Sequence, residues 1–180
     1  MKYTIEGLVM NGQAKEYLFF WGHPPSKDRT ITKSCFSQWW EDGFIEDGVT
    51  YKSAEHYMMA KKAVLFNDTE VRERIIASKS PAEAKKLGRQ VIGYDDALWV
   101  QHRFEIVKQG NYLKFSQNEP LKTFLMQTGD RVLVEASPVD GIWGIGMVAE
   151  NPDAVNPGKW YGLNLLGFAL MEVRDMLRDE

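Results

Sequence analysis

The clearest hydrophobic periodicity of this chain lies near its carboxyl end. Apolar residues recur there at helical spacing: Leu166, Leu170, Val173 and Leu177. A stripe of this kind lies on one face of a helix and predicts an amphipathic helix over about residues 163–177. Cap, proline and glycine signals predict five earlier helices, over about residues 53–66, 69–78, 80–89, 95–117 and 120–129. The pattern is that of a mostly helical chain.

Short extended segments are predicted on either side of the helical region. Residues 3–20 are predicted to form a β-hairpin, because Asn11-Gly12 is a preferred turn pair and apolar-rich runs flank it. Further extended pieces are predicted near 36–40, 49–51 and 131–136. The fold class is therefore α+β, a mostly helical single domain over residues 1–180 with a small antiparallel sheet. Residues 1–18 would be an N-terminal hairpin extension of that domain.

Composition and charge narrow the class of function. The net charge is −3, which argues against binding nucleic acid by general electrostatics alone. Cys35 is the one cysteine, so neither an intramolecular disulfide nor a cysteine zinc framework is expected. The three histidines, His23, His56 and His102, share no spacing, and we predict no metal site. No apolar run is long enough to span a bilayer, so we expect a cytoplasmic protein with no membrane partner.

The segment "YKSAEHYMMAKKAV", residues 51–64, carries the first candidate chemistry. Glu55 and Lys62 are seven residues apart, which places them on one helix face with a rise of about 10 Å between them, whereas Lys61 points elsewhere. Such a face is commonly a capped and solvated one. The alternative is a pocket-lining face that carries a carboxylate and an amine.

The loop "DGIWGIG", residues 140–146, is the second candidate. Its glycines allow the backbone N–H groups near Gly144 and Gly146 to approach a phosphate or a sugar. Asp140 is suited to binding sugar hydroxyls or to acting as a base. A tight structural turn, with Trp143 as a hydrophobic plug, explains the same pattern equally well.

The start of the last helix is the third candidate. Gly162 and Asn164 precede it, and unpaired N–H groups at a helix N-terminus bind anions. Ordinary helix capping is the alternative explanation and the commoner one.

Several segments together resemble the NADAR family, also called YbiA-like. They occur in the order of that family and cover about Phe19 to Arg174: "FFWGH" (19–23), "FSQWWEDGFIEDGVTYKSAEHYMMAKKA" (36–63), "DALW" (96–99), "KF" (114–115), "VEAS" (134–137), "DGIWGIG" (140–146) and "WYGLNLLGFALMEVR" (160–174). One difference lies at "SQWWEDGF", where many members have "SNFYPSPF". Gln38 therefore stands in place of an asparagine, which leaves the substrate less defined than the fold.

The resemblance implies an N-glycosidase, a hydrolase that cleaves the bond between a ribose carbon and a nitrogen. Family substrates include phosphorylated aminopyrimidine intermediates of riboflavin synthesis, and some relatives instead remove ADP-ribose from nucleobases. The expected partner is a small phosphorylated ribosyl or ADP-ribosyl substrate, and nucleic acid enters only as an ADP-ribosylated substrate. No cofactor is expected. A non-catalytic module that binds ADP-ribose or a nucleotide is the alternative from another functional class.

The resemblance also assigns residues. Glu55, Trp99 and Asp140 fall on positions regarded as active-site residues of the family, and Lys62 matches a helix lysine for which a covalent role has been considered. Further substrate contacts follow from residue chemistry. Trp40, Trp99 or Trp143 would stack the heterocycle. The backbone at Gly144 and Gly146, the helix start at Asn164, and Arg29 or Lys27 would hold the phosphate.

Overall fold

The computed structural model describes residues 1–11, 16–22 and 30–180. Arg29 and Lys27, which were predicted to close over the substrate phosphate, lie outside these ranges. The chain divides into two compact units, one made of residues 1–37 and 122–180 and the other of residues 38–121. The single domain inferred from the sequence stays a prediction.

Most of the described structure is helical, which confirms the predicted fold class. The helices are α1 (Ile5–Met10), α2 (Ala54–Leu65), α3 (Thr69–Ala77), α4 (Pro81–Gly88), α5 (Asp96–Ser116), α6 (Glu119–Met126) and α7 (Leu165–Arg178). The strands are β1 (Tyr17–Phe20), β2 (Phe44–Glu46), β3 (Val49–Tyr51) and β4 (Val132–Glu135). None of the helices in these ranges combines the length and the apolar character needed to cross a membrane.

The unit of residues 38–121 is built around α2, which packs against α3, α4 and α5. Cap residues begin these helices by accepting a hydrogen bond from a backbone N–H in the first turn. These caps are Ser53 for α2, Asp68 for α3, Ser80 for α4 and Asp95 for α5. The helix starts were predictable because capping is a local interaction between neighbours in sequence.

Gly110 does not weaken α5, contrary to the expectation from helix propensity. The helix runs unbroken from Asp96 to Ser116. A Cβ atom at Gly110 would lie 2.6 Å from Cδ1 of Tyr57 on α2, so the missing side chain leaves room for that ring. The cost of glycine in a helix, about 1 kcal/mol, is offset here by the close approach of two helices.

In the unit of residues 1–37 and 122–180, β4 pairs with β1 and α7 packs against β4. The two strands are parallel, with Tyr17 opposite Val132 and Phe20 opposite Glu135. The predicted stripe on α7 is buried, which confirms the amphipathic helix.

The predicted hairpin over residues 3–20 is wrong. Residues 5–10 form helix α1, which begins at Thr4, whose Oγ1 accepts a hydrogen bond of 3.0 Å from the N–H of Gly7. The strand that follows, β1, pairs with the distant β4 and not with its neighbour in sequence. A turn pair predicts a hairpin only when both flanking runs adopt the extended conformation, and α1 does not. Gly12 of that pair lies outside the described residues.

The antiparallel sheet is instead formed by β2 and β3. Asp47 and Gly48 join them, both with positive φ, at 49° and 77°, which is the conformation of a two-residue hairpin turn. The predicted extended piece at 36–40 is also wrong, because a 3-10 helix spans Lys33–Phe36 and residues 37–39 form a bend and a turn, not a strand.

Candidate active site

Glu55 lies in the first turn of α2 and is almost fully buried, with 3% of its surface exposed. Its backbone N–H donates a hydrogen bond of 2.9 Å to the carbonyl oxygen of Gln38. The N-terminal end of a helix carries a partial positive charge that stabilises a carboxylate there. The interpretation of this face as solvated is therefore wrong at Glu55.

Lys62 is held in a half-buried position on the same helix. Its Nζ donates a hydrogen bond of 3.0 Å to the carbonyl oxygen of Gly88. Nζ also lies 4.3 Å from the ring centroid of Tyr94 and 5.7 Å from that of Trp99. Burial lowers the pKa of the Lys62 amine, and the positive charge of Arg89 lowers it further. The result is an amine whose neutral form is more accessible than that of an exposed lysine.

The neighbouring Lys61 has different contacts, as helix geometry predicted. Its Nζ lies 2.6 Å from Oε2 of Glu46 and 5.2 Å from the ring centroid of Tyr57. The hydroxyl of Tyr57 donates a further hydrogen bond of 3.0 Å to Glu46. Lys61 is therefore part of a structural ion pair.

Trp99 lies beside Lys62 in the structure, and two further groups lie there that the sequence did not indicate. These are the carbonyl of Gly88, at the end of α4, and the ring of Tyr94, just before α5. Tyr94 is held by a hydrogen bond of 2.7 Å from its hydroxyl to Oδ1 of Asp96. In the sequence, the only local feature that marks Tyr94 is its position directly before Asp95, the cap residue of α5.

Trp40 belongs to the same unit, and its ring is partly exposed. Its Nε1 donates a hydrogen bond of 2.8 Å to Oδ2 of Asp42. This contact orients the indole through its polar edge. Stacking of a heterocycle on Trp40 stays a prediction.

Asp140, in the other unit, organises its own loop. Its Oδ1 accepts hydrogen bonds of 2.8 Å from the N–H groups of Ile142 and of Trp143. One carboxylate oxygen is thereby used as a structural acceptor. The side chain is partly exposed, and a catalytic role for Asp140 stays a prediction.

Close backbone packing accounts for two glycines of the "DGIWGIG" loop. A Cβ atom at Gly144 would lie 2.7 Å from the carbonyl oxygen of Glu135, and Gly146 has a φ of 69° that other residues rarely adopt. Between them, the N–H of Ile145 donates a hydrogen bond of 2.9 Å to the same carbonyl. The structural explanation therefore holds for these glycines, and phosphate binding by their backbone stays a prediction.

Asn164 is buried and hydrogen-bonded inside the protein, which corrects its assignment as a substrate ligand. Its Oδ1 accepts a hydrogen bond of 3.0 Å from the N–H of Glu135, and its Nδ2 donates one of 3.0 Å to the carbonyl of Leu133. No part of its surface is exposed. The side chain joins the start of α7 to the end of β4.

The first N–H groups of α7 are also occupied, so the predicted anion site is absent at these positions. The N–H of Leu165 donates to the carbonyl of Ile142 at 3.3 Å, and that of Leu166 donates to the carbonyl of Trp143 at 3.1 Å. The loop of residues 140–146 thus caps the helix with its backbone. Sequence patterns indicate a helix start but do not show which distant carbonyl satisfies it.

The family model described as NADAR domain matches residues 19–178. The chain belongs to the NADAR family. This NADAR protein is 41% identical over 168 residues to an N-glycosidase of Acanthamoeba polyphaga mimivirus. The aligned region covers 91% of this chain and 97% of that protein.

Bacterial members are more distant. The N-glycosidase YbiA of Escherichia coli strain K12 is 32% identical, with 74% of this chain and 75% of that protein covered. The NMR structure of the E. coli protein YbiA matches 92% of this chain and 88% of its own, with a TM-score of 0.71 and 28% identity. A riboflavin biosynthesis protein of Vibrio vulnificus is 33% identical over 73% of this chain but over only 32% of its own length.

Metal-binding side chains do not gather at the candidate residues. Across residues 1–11, 16–22 and 30–180, no group of three or more His, Cys, Asp or Glu side chains is placed to hold an ion. The candidate residues on and beside α2 thus offer the carboxylate of Glu55, the amine of Lys62 and the rings of Tyr94 and Trp99.

Proposed function

We propose that this NADAR protein is an N-glycosidase that hydrolyses the ribose C1–N bond of a phosphorylated ribosyl substrate. The proposed substrate class is that of the aminopyrimidine ribose phosphates of the riboflavin pathway. The names of the mimiviral and Escherichia coli relatives support the reaction, and that of the Vibrio relative supports the substrate class. These names belong to the relatives, so the activity of this chain needs its own measurement.

The observation that carries the proposal is the shared face of Glu55 and Lys62. Burying a carboxylate and partly desolvating an amine on one helix is costly to a fold. Perturbed ionisable groups of this kind concentrate at functional sites. Trp99, beside Lys62, adds an aromatic face of the type that binds a planar base.

Glu55 is suited to the charge that develops during the reaction. Breaking a ribosyl C–N bond builds positive charge on the sugar ring, and a nearby carboxylate stabilises that charge. In a direct hydrolysis, Glu55 also takes a proton from the water that attacks C1. The electron pair of the broken bond leaves with the base nitrogen, which is protonated.

Lys62 offers a covalent route to the same products. Its neutral amine attacks C1, the bond from C1 to the base breaks, and the amine loses a proton as the base nitrogen gains one. Ring opening then gives an imine between Lys62 and the sugar, and water hydrolyses it to release the sugar phosphate and restore the amine. The lowered pKa of Lys62 favours this route, because only the neutral amine is a nucleophile.

The experiment is a mass-spectrometric assay for released base with matched variants. We expect release from an aminopyrimidine ribose phosphate, and a loss of at least about 10²-fold in kcat for Glu55→Gln and Lys62→Met. Lys61→Met is the control, since Lys61 pairs with Glu46 and should be dispensable for turnover. An ADP-ribosylated nucleobase, assayed in parallel, tests the alternative substrate. Absence of released base from every substrate would refute the proposal.

Chemical trapping separates the two routes. If Lys62 forms an imine, borohydride added during turnover should reduce it to a stable amine, located at Lys62 by peptide mapping. Its mass equals that of enzyme plus sugar phosphate less one oxygen atom, because imine formation releases water and reduction adds two hydrogens. The Lys62→Met variant should give no adduct, and Lys61→Met should give the full amount. Turnover without any adduct in the wild-type protein would point to direct attack by water.

A further inference from the structure

Gln38 and Asn111 form a buried pair of amide side chains. Oε1 of Gln38 accepts a hydrogen bond of 2.8 Å from Nδ2 of Asn111, and the same Nδ2 donates a bond of 2.9 Å to the carbonyl of Val107. The contact with Val107 requires a donor, which fixes the orientation of the Asn111 amide. Gln38 must therefore turn its oxygen toward Asn111 and its nitrogen away.

Two atoms of this pair lack hydrogen-bond partners. Nε2 of Gln38, a donor, and Oδ1 of Asn111, an acceptor, are both buried without a partner among the residues that the structure describes. The two residues are 8% and 0% exposed. Each unsatisfied buried polar atom costs about 1–3 kcal/mol, and folded proteins satisfy the large majority of such atoms. A bound ligand that supplies both missing partners would remove this cost.

The pair lies next to the proposed catalytic carboxylate. The carbonyl oxygen of Gln38 accepts the hydrogen bond from the N–H of Glu55, so the backbone of Gln38 is attached to the first turn of α2. The unsatisfied donor, Nε2, thus belongs to Gln38, which contacts Glu55 directly. Glu55 is the residue that we place beside the reacting sugar carbon.

We propose that Gln38 and Asn111 bind the hydroxyl group on the sugar carbon adjacent to the scissile bond. This inference rests on the proposed function and deepens it. A hydroxyl group both accepts and donates, so it can accept from Nε2 of Gln38 and donate to Oδ1 of Asn111. The bond of 2.8 Å between Oε1 of Gln38 and Nδ2 of Asn111 places the two amide groups side by side, and the proposed hydroxyl bridges the remaining atom of each.

The consequence is selection of ribose over 2-deoxyribose. A deoxy sugar leaves both buried atoms unsatisfied, and sites built to bind a hydroxyl discriminate strongly against analogues that lack it. Hydrogen bonds to this hydroxyl also strengthen as the glycosidic bond breaks. The pair therefore contributes to the affinity for ribose and to the discrimination against 2-deoxyribose.

The test compares binding of ribose 5-phosphate and 2-deoxyribose 5-phosphate by calorimetry. We expect the wild-type protein to bind the ribose compound at least about 10-fold more tightly, on the order of the loss of one or two hydrogen bonds. Gln38→Met removes the donor at similar side-chain length, and it should bring the two affinities within about 3-fold of each other. Gln101→Met, an identical change at an exposed position of α5, should leave the ratio as in wild type.

A second variant guards against a folding defect. Gln38→Glu keeps an oxygen facing Asn111 and replaces the donor nitrogen with a carboxylate oxygen, so it should lose the preference for ribose. Its buried negative charge should lower the melting temperature, and thermal unfolding verifies that the variant is folded at the assay temperature. The proposal is overturned if the wild-type protein binds the two sugars equally, binds neither, or keeps its preference in both folded variants. Because binding is measured without turnover, a missing base-release activity with an intact ribose preference would count against the proposed reaction alone.

Discussion

Asp140 shows how one side chain can hold a loop and be a candidate for chemistry. Its Oδ1 accepts two backbone hydrogen bonds from the loop that follows, at Ile142 and Trp143. An aspartate and an asparagine present the same acceptor oxygen in this geometry, but only the aspartate is charged. Loop geometry and catalytic charge can therefore be separated by substitution.

We expect Asp140→Asn to keep the wild-type melting temperature and to lose at least about 10²-fold in kcat, the scale of a missing acid–base group. Asp140→Ala should also destabilise the protein, by about 1–3 kcal/mol, because two backbone N–H groups lose their acceptor. Urea denaturation and initial rates measure the two effects. Wild-type turnover in Asp140→Asn would restrict Asp140 to its loop role.

The contact between α7 and β4 depends on an element-scale feature, the glycine in the first turn of the helix. A Cβ atom at Gly167 would lie 2.6 Å from the side-chain amide of Asn164 and closer still to the carbonyl oxygen of Leu133. These neighbours are a backbone group and a side chain with two hydrogen bonds, so neither can move cheaply. Gly167 lets the helix approach the strand.

Gly167→Ala tests this contact, because two effects of opposite sign compete. Helix propensity alone favours alanine by about 1 kcal/mol. Overpacking of a tight contact costs about 1–3 kcal/mol or more, and we expect it to prevail, with a lower free energy of unfolding in urea. Gly7→Ala on α1 is the control, since its nearest neighbour is Oγ1 of Thr4 at 3.2 Å. A stabilised Gly167→Ala variant would contradict the packing argument.

Strand pairing is the element-scale feature that sequence patterns described least well. The run of apolar residues at 131–136 predicted β4, and its bounds are nearly correct. Its partner β1 lies more than a hundred residues earlier in the chain, so no tight turn fixes the parallel register of the two strands. The β2–β3 hairpin at Asp47-Gly48 pairs strands that are neighbours in sequence, and of it the sequence predicted only the extended piece at 49–51.

At the scale of the whole molecule, one buried histidine couples folding to pH. His56 is 1% exposed, and its Nδ1 lies 2.8 Å from Oγ of Ser53. Burial is the largest effect and lowers the pKa of His56. A hydrogen bond with the backbone of Ser78 raises this pKa, the charge of Lys52 lowers it, and the charge of Glu83 raises it. The folded protein therefore keeps this side chain neutral to a lower pH than the unfolded chain does.

We expect the free energy of unfolding to decrease as the pH falls below about 6.5, the ordinary pKa of histidine. In that range the unfolded chain takes up a proton that the folded protein does not, and the slope for one proton is at most about 1.4 kcal/mol per pH unit. Urea denaturation between pH 5 and 8 measures the slope. His56→Asn, which retains a polar atom near Ser53, should show a shallower dependence, and equal slopes would exclude His56 as the source.

Interactions between near neighbours in sequence were determined by the sequence itself. Caps at Ser53, Asp68, Ser80 and Asp95, and the separation of Lys61 from Lys62 by helix geometry, depend on residues within a few positions of each other. The tertiary structure decided the rest. It buried Glu55, brought Gly88 and Tyr94 to Lys62, and occupied Asn164 with β4. These outcomes depend on contacts between residues that are distant in sequence. Buried polar atoms need hydrogen-bond partners, and only the packed fold determines which distant groups supply them.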